Sequence, residues 1–218
     1  MRSLIVVLVI LTLQGCAPTS LNIQHLQLSA GNAPMAVGES PVIVLDGIDI
    51  PDYLLRDELL YRESEFTVRY DAARRWAEPL DLGIQRVLGR RLESILDTQR
   101  VILFPDATAR PADWQLRVTI EEFEAVNGVV RIAAEGRWEQ ENGDSIIRES
   151  VVYEDTLPLD STSGDDIAKA MSKLLWTFAE ELAAGIAEVA PAATVGAQTG
   201  RNTNVETVIE TVSETPPQ

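Results

Sequence analysis

The chain has 218 residues and carries 34 acidic against 18 basic side chains, a net charge of −16. That balance argues against nucleic acid, which needs clustered Lys and Arg against phosphates, and against lying flat on anionic lipid. One cysteine (Cys16) and one histidine (His25) offer neither a disulfide nor a Cys/His zinc site, and 45% hydrophobic to 24% charged residues is the mix of an ordinary globular domain.

Met1-Arg2 is followed by "LIVVLVILTL", an apolar run that suits a signal peptide and is too short to span a bilayer. It ends in Leu13-Gln14-Gly15-Cys16, which resembles a bacterial lipobox, with Gln14 a less usual member. The resemblance implies a signal peptide over 1–15, a diacylglycerol group on the Cys16 sulfur and an acyl chain such as palmitate on the new α-amine. Ala17, where many such proteins carry Asp for inner-membrane retention, implies an outer-membrane lipoprotein with a periplasmic domain. The competing readings are a secreted protein with a free thiol and an uncleaved membrane anchor.

Residues 16–40 mix small, polar and turn-forming types and read as a tether with room for a short strand. "PVIVLDGIDI" (41–50), β-branched and bounded by prolines, predicts a strand, and the alternating "EFTVRY" (65–70) a second. Leu80, Ile84, Val87, Leu88, Leu92, Ile95 and Leu96 recur at three and four, so an amphipathic helix is expected. Pro79 is tolerated only in a first turn, which puts the helix start near Trp76 to Glu78.

"RVILFP" (100–105) predicts a short strand. Trp114, Leu116, Val118 and Ile120 then alternate inward before the pattern slips one step to Phe123, which implies a β-bulge. Asn127-Gly128 is a hairpin signal, and a second "NG" at 142–143 repeats it, so an antiparallel meander is expected. A last helical stripe runs through Ile167, Met171, Leu174, Leu175, Phe178, Leu182, Ile186 and Val189, with Ser163 as its N-cap. The fold class is therefore α+β: a largely antiparallel sheet of five to six strands, with two amphipathic helices on one face. The domain covers 41–190, and 191–218, without aromatics, reads as a disordered tail.

Catalytic motifs are missing: there is no GxSxG, Walker loop, HExxH or GxGxxG. Glu121, Glu122 and Glu124 cluster, but without the Asp/Asn-Gly pattern of a calcium loop they read as a solvated strand face. Trp114, Trp138 and Trp176 read as core or core-edge packing. No enzyme activity, metal or cofactor is expected beyond the covalent lipid.

Two motifs carry a specific resemblance. "PDYLLR" (Pro51, Asp52, Tyr53, Leu54, Arg56) and "RWAEPLDLGIQRVL" (Arg75, Trp76, Ala77, Glu78, Pro79, Leu80, Ile84, Arg86, Leu88) precede the Phe104-Pro105 strand and the meander. Together with the lipobox they resemble the auxiliary lipoproteins of ABC-type lipid transport systems, the paraquat-inducible protein C family, over roughly 20–190. The resemblance implies a non-catalytic subunit that partners an MCE-domain protein, an inner-membrane permease and an ATPase. In that role it docks the tunnel-forming MCE protein at the outer membrane, and a ring-forming homo-oligomer is compatible with the role. Tyr53, Arg56 and Trp76 are the candidate partner-binding residues, since Tyr, Trp and Arg favour interface hot spots. A structural role, with the motif capping the sheet edge and Trp76 packed beneath it, is the stronger alternative for them. The rival functions are an assembly factor of the lipopolysaccharide-export type, disfavoured by only two lysines, and a lipid carrier, which needs a large apolar cavity.

Overall fold

The computed structural model describes residues 22–105, 112–142, 145–189 and 205–210. Among them nine strands form one mixed sheet. Its main path runs β1 (Gln24–Leu26), β4 (Thr67–Trp76), β3 (Glu58–Ser64), β6 (Trp114–Val126), β7 (Val129–Asn142), β8 (Ser145–Pro158) and β9 (Val205–Glu210). Off that path, β2 (Ile43–Asp49) pairs with β6 and with β5 (Val101–Leu103). Helices α1 (Leu80–Ile95) and α2 (Gly164–Val189) pack against each other, α1 over β2 and β5, α2 over β7 and β8. The α+β class and the two-helix layer stand as expected, and the sheet has more strands than the five to six read from the pattern.

The meander follows the sequence closely. Asn127 and Gly128 adopt φ of 48° and 80°, the left-handed geometry of a two-residue hairpin turn. The slip after Ile120 is a bulge: Ile120 faces Ala134, the next paired residue is Glu122 facing Ala133, and Phe123 returns to the core side. Trp114 and Trp138 meet edge to face at 6.3 Å, and Tyr153 stacks on Phe178 at 5.3 Å. From Ile167 to Ile186 every stripe residue of α2 is buried; the Val189 side chain lies outside the described residues. Ser163 caps α2 by accepting the Asp166 amide at 3.1 Å.

The first half departs more. The strand expected at 65–70 is really the second arm of a hairpin. Ser64 pairs with Thr67, so Glu65 and Phe66 form the turn, and β3 precedes it. Neither turn residue has a turn preference, which hid both the turn and β3. Strand β4 runs on through "RYDAARRW" to Trp76, so α1 starts only at Leu80, with Pro79 as the residue before it in extended geometry (φ −51°, ψ 135°). Residues 22–40 do not hang free: β1 joins the sheet parallel to β4, and Leu26, Leu28 and Ala36 are buried. Most of the segment 191–218 lies outside the described residues; within it Val205–Glu210 pairs antiparallel with β8.

Candidate functional site

Two structures bear on function: the strap formed by 22–40, which leads back toward Cys16, and a platform on the outer face of the sheet built by "PDYLLR".

The strap is held by side chains of both helices. Arg86 of α1 donates through Nε and Nη2 to the Glu78 carboxylate, and its Nη2 also reaches the Leu28 carbonyl at 2.8 Å. Gln27 adds a bond to Glu78 at 3.3 Å. The Arg86 hydrogen bonds, opposed by partial burial, hold Glu78 below its ordinary carboxylate range. Further along, Arg90 reaches the Ala33 carbonyl at 3.3 Å, and the Trp176 indole donates to the Ser29 carbonyl at 2.6 Å. The Ser29 amide donates in turn to Ser172 Oγ at 3.0 Å. Gly31, with φ of 65°, lies flat against the Trp176 ring, where an added Cβ would come within 2.7 Å of Cζ2. Glu78 and Arg86 of the second motif are thus the clamp that joins the strap to the body.

The platform grows from the bulge. β2 runs parallel to the early part of β6 and β3 parallel to its end, both on the same edge of β6. "PDYLLR" is the crossover between them and includes a short 3-10 turn, Asp52–Leu54. Leu54 drops into the core. Tyr53 spans the gap, its hydroxyl donating to the bulge carbonyl of Glu121 at 3.4 Å. Beneath it Glu124 is fully buried, accepting from Arg62 Nε and from Arg62 Nη2 at 3.0 Å, with Arg131 Nη2 3.6 Å away. Arg131 also pairs with Glu122 at 2.6 Å. The reading of Glu122 and Glu124 as a solvated face is therefore corrected for Glu124. The bulge changes the register there, and β3 with Arg62 closes over a carboxylate that alternation alone would leave in water. Burial, then the Glu124 charge, push the Tyr53 hydroxyl above its usual range.

Tyr53 and Arg56 come together through Tyr70. Arg56 lies over the Tyr70 ring at 5.4 Å, and the Tyr70 hydroxyl donates to the Tyr53 carbonyl at 3.1 Å. Leu55 beside them is half exposed. Trp76 does not join that surface: the residue is only 8% exposed, within the core, while its amide donates to the Asp57 carbonyl at 2.7 Å. The buried Glu124 network was not legible as a site, and its one sequence signal is the position of Glu124 between the core residues Phe123 and Ala125. Cys16 lies outside the described residues. Among the described residues no cluster of His, Cys, Asp or Glu is suited to a metal ion, and no helix is long and apolar enough to cross a membrane.

Comparison with known proteins places these features in a family. The family model described as the ABC-type transport auxiliary lipoprotein component matches residues 25–183, a span that holds the strap, both motifs and the meander. The intermembrane transport lipoprotein PqiC of Escherichia coli K12 is 28% identical over 145 residues, covering 63% of this chain and 73% of that protein. PqiC of Shigella flexneri matches to the same extent. Two crystal structures share the fold. One is of an uncharacterized protein (TM-score 0.59, 19% identity, 76% of this chain and 99% of that one). The other is of a Xanthomonas campestris protein (TM-score 0.60, 15% identity, 77% and 94%). The chain belongs to the ABC-type transport auxiliary lipoprotein family.

Proposed function

We propose that this protein is a non-catalytic lipoprotein subunit of an ABC-type system that moves phospholipid-like molecules between membranes. Its role is to dock a tunnel-forming MCE-domain protein, served by an inner-membrane permease and ATPase, at the outer membrane. The observation that carries the reading is the family match over 25–183, supported by likeness to proteins named for intermembrane transport. The Gly15-Cys16 pattern supplies the anchor, through acylation of Cys16. Several acyl chains at ~0.8 kcal/mol per buried CH₂ suffice for stable attachment.

The interior supports docking over carrying. Trp138, Phe123, Phe178 and fully buried aliphatic side chains such as Ile43, Leu88 and Leu116 fill the space between sheet and helices, so the core is packed with its own residues. Tyr53 and Arg56, held through Tyr70 on the outer surface, are the proposed partner contacts. Trp76 serves them indirectly, by fixing the backbone at Asp57 next to Arg56.

The test is affinity capture of the tagged full chain from solubilised envelopes, read by mass spectrometry. Co-recovery of an MCE-domain protein with its permease and ATPase is expected, together with its loss in an Arg56→Ala chain. Recovery of an outer-membrane barrel in their place would overturn the transport reading in favour of an assembly factor.

A further inference from the structure

The structure shows the end of the domain at which the chain enters β1. β1 is parallel to β4, with Gln24 opposite Arg74, His25 opposite Arg75 and Leu26 opposite Trp76. In a parallel pair both strands run the same way, so the chain entering β1 arrives from the side where β4 begins. β4 begins at Thr67, immediately after the Glu65-Phe66 turn. Cys16 stands eight positions before Gln24, and Phe66 stands eight positions before Arg74. Eight residues reach at most ~26–29 Å; a regular strand of that length measures ~27 Å, and the extra residues of β4 between Asp71 and Arg75 make the span from Phe66 to Arg74 shorter still. The acyl-bearing residue can therefore lie level with the β3–β4 turn.

That turn presents an unusual side chain to solvent. Phe66 is 89% exposed, more than any other large hydrophobic residue described. The hairpin also projects. β3 pairs with β6 only at Tyr61–Ala125 and Arg62–Val126, and Val126–Val129 is the last pair of the meander, so the Glu65-Phe66 turn lies past that pair. The polar groups near the tip are largely satisfied within it. Ser64 pairs with Thr67, Arg62 Nη1 donates to the Glu65 carbonyl at 3.1 Å, and Arg69 binds Glu63 at 2.7 Å. The exposed Glu65 carboxylate stays in the hydrated headgroup layer, while the neighbouring Phe66 ring can enter the headgroup–acyl boundary, the zone that aromatic side chains favour.

We propose that Phe66 is a membrane-contact residue. The β3–β4 hairpin dips into the lipid surface that holds the Cys16 acyl groups and sets the domain upright on it. The acyl chains supply the affinity; the ring supplies the orientation. With a net charge of −16 the fitting surface is one of low negative charge, so phosphatidylcholine is the probe.

This inference rests on Cys16 lipidation, and the experiment separates the two. Full-length protein processed in cells, with p-benzoylphenylalanine at position 66, is reconstituted into phosphatidylcholine vesicles, floated and irradiated. A control carries the same group at Val152, which is 49% exposed on the solvent face of β8. The expected result is lipid adduct at 66 in roughly tenfold excess over 152, the bias that transfer of one aromatic ring to an apolar phase supplies. Protein that does not float refutes the anchor. Protein that floats but gives equal lipid adducts at both positions, or protein adducts at 66, refutes the Phe66 contact alone. Position 66 is open enough that the analogue leaves the fold intact.

Discussion

Glu124 is the residue where burial and charge conflict most sharply. Its carboxylate has no exposed surface and is held by Arg62, itself only 19% exposed. Removing one partner of such a pair strands the other, which typically costs about 3–5 kcal/mol, whereas an apolar pair of similar volume is often neutral. Glu124→Ala should therefore lower Tm by roughly 6–20 °C for a domain of this size, while Glu124→Leu with Arg62→Met should recover most of the loss in the same calorimetric scan. A double variant as unstable as the single would refute the argument.

Glu78 has the opposite sign of interest. Its folded-state pKa lies below the ordinary 4.5, chiefly through Arg86, so its contribution is fully present above that value. It is lost as pH falls through the lowered folded pKa. Both partners are partly exposed, so the pair is worth about 1 kcal/mol or less. The protection of the Ser29 amide, its exchange relative to the free-chain rate at the same pH, should therefore fall below pH 4.5, and Glu78→Gln should show the reduced protection already at pH 7. Equal exchange in both proteins at pH 7 would mean that Trp176 and Ser172 alone hold the strap.

At the scale of elements, two close approaches are decisive. The Asn127-Gly128 turn needs both residues at positive φ, which for a β-branched residue costs about 1–2 kcal/mol or more. Gly128→Val should lower the denaturation midpoint accordingly. Under α2, a Cβ on Gly136 of β7 would lie 2.1 Å from Leu182 Cδ2, and the Leu182 carbonyl accepts the Trp138 indole at 3.0 Å. Gly136→Ala should cost about 1–3 kcal/mol by overpacking. In a Gly136→Ala, Leu182→Ala chain the two losses should be less than additive, because the smaller residue removes the clash; strict additivity would show that α2 shifts instead. The meander was legible in sequence because its strands alternate and its turn carries Asn-Gly. The β3–β4 hairpin was not. Glu65 and Phe66 announce no turn, and "ELLYRES" places Leu59 and Leu60 in succession, both buried, so it shows no alternation.

For the whole molecule, the clamp on the strap means that the proposed anchor at Cys16 would be tied to the body by a short stretch of sequence. A Cys16→Ala chain should keep its precursor mass and carry no acyl groups, measured by intact mass of protein from the envelope fraction. Normal processing with full membrane retention would refute lipidation. The same geometry ties orientation to the β1–β4 register, so loosening the strap by Glu78→Gln should lower capture of the transport partners without changing membrane retention.

The sequence by itself determined the class of the protein: local alternation and helical spacing set its strands and helices, and the charge argued against nucleic acid. The two motifs named the family. These are properties of short windows, readable without knowing what packs on what. Tertiary structure alone decided that Trp76 is core, that Glu124 is a buried ion-pair partner, and that "PDYLLR" bridges a bulge. It also decided that residues 22–40 are a strap and that Phe66 crowns a projecting tip. Each of these depends on which strand lies beside which across long stretches of chain, and a parallel pairing such as β1 with β4 leaves no local signal in either strand.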